Sequence, residues 1–183
     1  MPFPLIVKFE VAGEVQFRRQ LIGVHDSVKT IKPALEQISD DFRATEQKQF
    51  SQEGAFEGNE HWQALLPGKY REWKKKHYPG MPILQLHGNL MKSLTQKDYR
   101  SEVGGSVENI TDMSLEIGTD VSYAICHQVM DEPGRKMPVR KPISLTEAQK
   151  KRWVRYIRQF IRKQINQGVL EGSYGRSLQW RKI

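Results

Sequence analysis

Residues 144–168 constrain this chain more than any other stretch. Ser144-Leu145-Thr146-Glu147 and Thr146-Glu147-Ala148-Gln149 are overlapping capping-box patterns, whose side chains satisfy the free N–H groups that open a helix. Downstream, Trp153, Ile157, Phe160, Ile161 and Ile165 recur at helical spacing as an apolar side. Lys151, Arg155, Arg158 and Arg162 fall at i, i+4, i+7 and i+11 and form a basic face. Gly168 is expected to end the helix. A helix that is apolar on one side and cationic on the other lies on a core, and the rest of the chain must supply that core.

Two kinds of periodicity supply it. Ile31, Leu35, Ile38 and Phe42 also fall at i, i+4, i+7 and i+11, which predicts a helix over 28–52 with one buried stripe. Pro33 is tolerable only in its first turn, close to Thr30. Leu5, Val7, Phe9 and Val11 alternate with polar or outward positions, the period of a half-buried strand. A second strand is expected over 93–102, a turn at Gly104-Gly105, and a third strand through Met113, Leu115 and Ile117, pairing antiparallel with the second. Pro67-Gly68 divides 62–76 into a helical turn and a short basic helix, and 121–130 reads as a short helix or an extended shoulder. Pro133, Gly134, Pro138 and Pro142 mark 131–142 as an exposed loop. The expected class is α+β: a small antiparallel sheet packed by an N-terminal helix and a long C-terminal helix, with an extended loop. With 183 residues and 38% hydrophobic content, a single domain over 1–168 is expected, followed by a flexible basic arm over 169–183.

The net charge of +8 is not spread evenly. Residues 146–183 carry ten basic against two acidic side chains, which leaves 19 of each sign over 1–145. Attraction to a polyanion or an acidic protein surface would act through Lys151, Arg155, Arg158 and Arg162, and through Arg176, Arg181 and Lys182 in the arm. The apolar runs are far shorter than a membrane span requires, and residues 1–11 lack the pattern of a signal peptide. Cys126 is the sole cysteine, which excludes an internal disulfide and a cysteine-based zinc site and fits folding in a reducing cytoplasm.

The residues name no catalytic constellation. There is no glycine-rich phosphate loop, no nucleophile elbow and no pair of histidines at metal spacing, so no catalytic residue, cofactor or metal is expected. His25, His61, His77, His87 and His127 are scattered. Cys126 beside His127 reads as a small buried thiol next to a hydrogen-bonded imidazole, because chain neighbours rarely adopt the geometry of a nucleophile and its base.

Between residues 50 and 128 three short motifs follow one another. The first holds Gly58, Trp62 and Leu65 and leads to Tyr70 and Lys74. The second runs Gln85-Leu86-His87-Gly88-Asn89-Leu90-Met91-Lys92-Ser93-Leu94, and the third contains Tyr123-Ala124-Ile125-Cys126-His127-Gln128. Pro138-Val139-Arg140 and Pro142-Ile143-Ser144-Leu145 precede the last helix. In this order, over 28–167, they resemble the phage virion morphogenesis family, the tail-completion proteins that include the Mu-like G protein. His87 stands where that family often has a threonine, Met130 where it often has a glycine, and Lys141-Pro142 where it often has an aromatic residue. These motifs are expected to maintain the fold: Trp62 and Leu65 capping the core, Gly58 and Gly88 permitting tight turns, the 123–128 element bracing a hairpin.

The resemblance implies a structural protein of a tailed bacteriophage, located in the virion and assembled in the host cytoplasm. It would act in tail completion and head-tail joining as a sixfold or twelvefold ring at the neck or tail top. Its neighbours would be tail-terminator, tail-tube or head-connector proteins, with at most transient non-specific contact with DNA in the channel and none with a membrane. A hairpin over 93–119 and the C-terminal helix are the two patches such a ring would use, and 131–142 and the arm are the other candidate interfaces. The alternative from the residues is a free-standing basic nucleic-acid-binding protein, with Trp153, Tyr156, Tyr174 and Trp180 as stacking partners.

Overall fold

The alternating strand Leu5–Glu10 (β1) is one edge of an antiparallel sheet in the computed structural model, which describes residues 5–10, 30–129 and 137–174. Its register sets Leu5 opposite Thr119 and Val7 opposite Ile117, on the strand Ser114–Thr119 (β4). β4 pairs on its other side with Gly104–Ile110 (β3), and β3 with the two-residue strand Arg100–Ser101 (β2), giving the order β1-β4-β3-β2. Side chains alternate across a strand. Leu115, Ile117 and Thr119 of β4, with Leu5 and Val7 of β1, therefore point to one face and form the floor of the core.

That face is covered by two helices. Lys32–Ser51 (α1) lays down the predicted stripe: Ile31, Leu35, Ile38 and Phe42 are all buried. Pro33 lies in its first turn as expected, and Thr30 Oγ1 accepts the N–H of Lys32 at 3.1 Å. Beside α1 lies Asn89–Thr95 (α3), which buries Leu90 and Leu94 against the sheet. The long helix Glu147–Tyr174 (α5) packs on α1. Thr146 Oγ1 caps it by accepting the N–H of Gln149 at 3.1 Å, so Thr146 is the N-cap, while the Gln149 side chain does not return the reciprocal bond of a capping box. Lys69–His77 (α2) and Ala124–Gln128 (α4) complete the described elements. The architecture is the α+β arrangement expected: a small antiparallel sheet flanked by an N-terminal helix and a long C-terminal helix.

Several local expectations are corrected. Residues 89–95 are helix α3, so Ser93 is not on a strand, and the hairpin partner of β4 is β3. Gly104-Gly105 opens β3 instead of forming the turn. Gly104 has φ +121°, and a Cβ on Gly105 would stand 2.1 Å from the Tyr99 carbonyl oxygen, so these glycines let β2 and β3 close on one another. No helical turn forms at 62–66; only the basic helix α2 follows the Pro67-Gly68 break. α5 continues past Gly168 to Tyr174. Residues 130–136 and 175–183, and with them Arg176, Trp180, Arg181 and Lys182, lie outside the described residues, as do His25 and Met130.

Polar groups sit inside the layers. Glu108 of β3 faces the helices, accepting from Ser39 Oγ at 2.6 Å and from Arg43 Nη2 at 2.7 Å, while Arg43 Nη1 donates to the Gln96 carbonyl at 2.9 Å. Burial works against ionisation of Glu108, but the hydrogen bonds from Ser39 and Arg43 outweigh it and hold its carboxyl below the usual range. Glu46, also on α1, is 1% exposed and its Oε2 has no hydrogen-bond partner. Burial pushes its carboxyl well above the ordinary value.

The folded chain therefore keeps the Glu46 proton at pH values where the unfolded chain has released it. This group's contribution to stability falls as pH rises from the usual glutamate range through its folded-state pKa. Glu46→Gln keeps the shape without the titration. Denaturant melts should show little change near pH 4 and a more stable variant at pH 8; equal stability gains at both pH values would contradict the assignment.

Candidate functional site

The four motif segments converge on one open cleft of about 800 Å³. Leu65, Tyr70 and Lys74 come from the first motif and α2, Leu84, His87 and Leu90 from the second, Tyr123 and His127 from the third, and Pro138 and Arg140 from the fourth. Nothing in the spacing of these motifs indicated that they would share a wall.

The walls are held by side chains that cap backbone groups across long sequence separations. Gln128 pairs reciprocally with the backbone of Ile143, Nε2 to the carbonyl at 2.8 Å and Oε1 from the N–H at 3.2 Å. Trp62 Nε1 donates to the Lys141 carbonyl at 3.0 Å, and Asn59 Nδ2 to that of Ser144 at 3.1 Å. Arg140, buried, returns the connection, with Nε to the Gln63 carbonyl at 2.6 Å and Nη2 to that of Ala64 at 3.1 Å. Residues 138–144 are thus tied to the first and third motifs through their backbone, and buried backbone groups that lack a ladder partner are satisfied by side chains. Arg140 and Pro142 are buried, so this part of the expected exposed loop 131–142 is instead structural, as is Ile143 just after it.

The second motif is set by two hydrogen bonds that leave Leu84 between them. Glu53 Oε1 accepts the Ile83 N–H at 2.7 Å, and Gln85 Nε2 donates to the Phe50 carbonyl at 2.9 Å, one of the free carbonyls at the end of α1. Leu84 is held between them at φ +60°, where a branched side chain costs of order 1–3 kcal/mol. Gly88, at φ +73°, then turns the chain into α3. Ser93 on that helix is buried and shares a hydrogen bond of 2.7 Å with Thr119 Oγ1.

The remaining motif residues serve packing. Trp62 is 5% exposed and meets Phe50 edge to face with ring centres 5.2 Å apart. Gly58 takes φ +86° in the turn before it. Ala124 is buried, and Tyr123 and His127 present their rings edge to face at 6.1 Å beside the cleft. Cys126 is exposed on the cleft wall and not buried as expected.

The cleft is mostly apolar but cationic in balance. Lys69, Lys74, Arg140, His87 and His127 line it, and among the described residues no carboxylate does. Lys74, only 5% exposed, donates to the Pro82 carbonyl at 2.7 Å. Burial lowers the pKa of both Lys74 and Arg140, with the nearby Glu53 opposing the shift at Lys74. α2 forms the rim, and its Tyr70 and Trp73 are 53% and 41% exposed and stack with centres 5.9 Å apart. α2 is the short basic helix expected after Pro67-Gly68, which the charge balance over 1–145 does not register because acidic residues elsewhere cancel it.

The second surface is the outer face of α5. Lys151, Arg155, Arg158 and Arg162 are all exposed along it, as the spacing predicted. Its inner side places Trp153 in the core and Ile157 and Phe160 against it. Trp153 is 1% exposed and Tyr156 half-buried, so neither is presented as a stacking platform; the side chain of Tyr174 and all of Trp180 lie outside what is described.

Among the described residues no cluster of three or more His, Cys, Asp or Glu side chains could hold a metal, and no helix is long and apolar enough to cross a membrane. Residues 14–162 match the model of the phage virion morphogenesis family. No curated protein and no solved structure matches the chain.

Proposed function

From the premise that the chain belongs to the phage virion morphogenesis family, and is thus a structural protein of phage tail assembly without catalytic function, we propose that it acts in tail completion and head-tail joining as a ring-forming subunit of the neck or tail top. The observation that carries this reading is the family match over 14–162, which takes in all four motif segments around the cleft. A closed ring repeats one heterologous contact, so each subunit needs two different complementary patches. The hairpin Gly104–Thr119, whose tip residues Thr111 and Asp112 are exposed, and the basic face of α5 are the two patches assigned to that contact. The first is the corrected form of the 93–119 hairpin, since Ser93 and Leu94 belong to α3 and are buried on its inner side.

The ring, sixfold or twelvefold, would meet tail-terminator, tail-tube or head-connector proteins in the virion after assembly in the host cytoplasm. The basic face meets an acidic neighbour. If the face were turned to the channel instead, transient contact with DNA would use the same four cations without sequence preference. Replacing Arg155, Arg158 and Arg162 together by Gln is expected to leave the melting temperature within a few degrees, because exposed charges contribute little to folding. The same variant should lower assembly of the purified protein by about tenfold or more at low salt, since several screened charge pairs are lost together. Mass measurement of the oligomer across a salt series checks this; assembly that ignores both salt and the substitutions removes α5 from the interface.

A further inference from the structure

We propose that the cleft between α2, α3, α4 and residues 137–140 is a socket for an apolar segment of a neighbouring virion protein that carries carboxylates beside its apolar side chains. The proposal rests on the structural reading above and adds a third contact, separate from the hairpin and from the face of α5.

Three observations carry it. The volume of about 800 Å³ and the apolar lining of Leu65, Leu84, Leu86 and Leu90 suit several side chains of a bound segment. Among the described residues, the charged groups that line the cleft are all of one sign: Lys69, Lys74 and Arg140, with His87 and His127 beside them. Lys74 and Arg140 are buried against backbone carbonyls, with no carboxylate in hydrogen-bond contact, so an incoming negative charge would find desolvated cations facing it. On the rim helix α2, Tyr70 and Trp73 expose stacked rings, and tyrosine and tryptophan are residue types that anchor protein interfaces. A phosphate backbone would use the exposed cations of the rim but would leave the apolar floor of the cleft unfilled.

Cys126 supplies the test, because it is exposed on the cleft wall and is the protein's only thiol. Its alkylation by iodoacetamide can be timed in the purified protein and in assembled tails. If the socket is filled, the thiol in tails should react about tenfold more slowly, the protection given when a bound segment is present at about ten times its dissociation constant. Tails that contain the protein and alkylate at the free rate overturn the socket while leaving the structural reading intact. Absence of the protein from tails overturns the structural reading, and the socket is then judged on purified protein alone.

In that second arm a synthetic peptide of alternating leucine and glutamate is compared with one of leucine and glutamine, and with a single-stranded oligonucleotide. The glutamate peptide should slow alkylation, less so at high salt, and Lys69→Glu on the exposed rim should weaken that protection several-fold without changing the melting temperature. No protection, equal protection by the two peptides, or protection by the oligonucleotide as strong as by the glutamate peptide would each overturn the proposal.

Discussion

Trp62→Ala is expected to lower unfolding stability by about 3–5 kcal/mol, the range for removing a buried tryptophan, and to loosen residues 138–144 at the same time. Both effects come from one side chain. Its ring fills the space between Phe50 and Gly54, where even a Cβ on the glycine would approach Trp62 Cδ1 to 2.6 Å. Its indole N–H holds the Lys141 carbonyl at 3.0 Å. The alanine leaves a cavity under the end of α1 and frees one of the bonds that position Arg140 and Pro138 at the cleft. Trp62→Phe should recover part of the packing and none of the hydrogen bond. Chemical denaturation measures the first loss. Hydrogen exchange at the Arg140 and Ile143 amides, which donate to His127 and Gln128, measures the second. If Trp62→Ala melts like the native protein, or if exchange at those two amides is unchanged, the clamp described here does not exist.

The motifs were legible as positions but not as neighbours. Helical and strand periods are local, and they placed α1, β1, β4 and α5 near where they are found, including the exposed cations at Lys151, Arg155, Arg158 and Arg162. β3 escapes the hydropathy pattern because two of its three inward residues, Ser106 and Glu108, are polar and only Ile110 is apolar. Only Arg43 and Ser39, more than sixty positions away, make Glu108 tolerable there. Its opening glycines read as a turn because their actual requirement, room for the Tyr99 carbonyl and a positive φ at Gly104, comes from a neighbouring strand. The same limit hid the cleft. Gln128 and Ile143, or Trp62 and Lys141, are bonded side chain to backbone, and a backbone partner leaves no mark on residue type.

The motif residues therefore combine the two roles that composition had set against each other. Trp62, Gln128 and Arg140 maintain the fold through their hydrogen bonds, and in doing so they set the walls on which Leu65, Tyr123 and Pro138 are displayed. Packing the framework and shaping the surface are one arrangement. A sequence that keeps the framework keeps the cleft as well, whereas Lys69 and Tyr70 on α2 are exposed and take no part in these backbone bonds.

Asp41→Ala should cost about 2–4 kcal/mol, because it leaves a buried N–H and a partly buried guanidinium short of their acceptor. Asp41 of α1 accepts from Trp153 Nε1 at 2.7 Å and from Arg152 Nε at 2.9 Å, and this pair of contacts fastens α5 to the core. Arg152 also reaches Glu57 at 2.9 Å, and Glu57 accepts from Thr146 at 2.8 Å, which ties the cap of α5 to the first motif. Asp41→Asn retains an acceptor and should cost less than the alanine. The consequence reaches beyond stability. α5 carries the exposed basic face, so a variant in which it is held less firmly should lose assembly at a temperature where the hairpin and α1 still fold. Circular dichroism and oligomer mass, followed together on heating, separate the two events in Asp41→Ala. In the native protein they should coincide. If assembly and helix content are lost together in the variant too, the Asp41 node is only one part of a cooperative core, and the basic face does not depend on it separately.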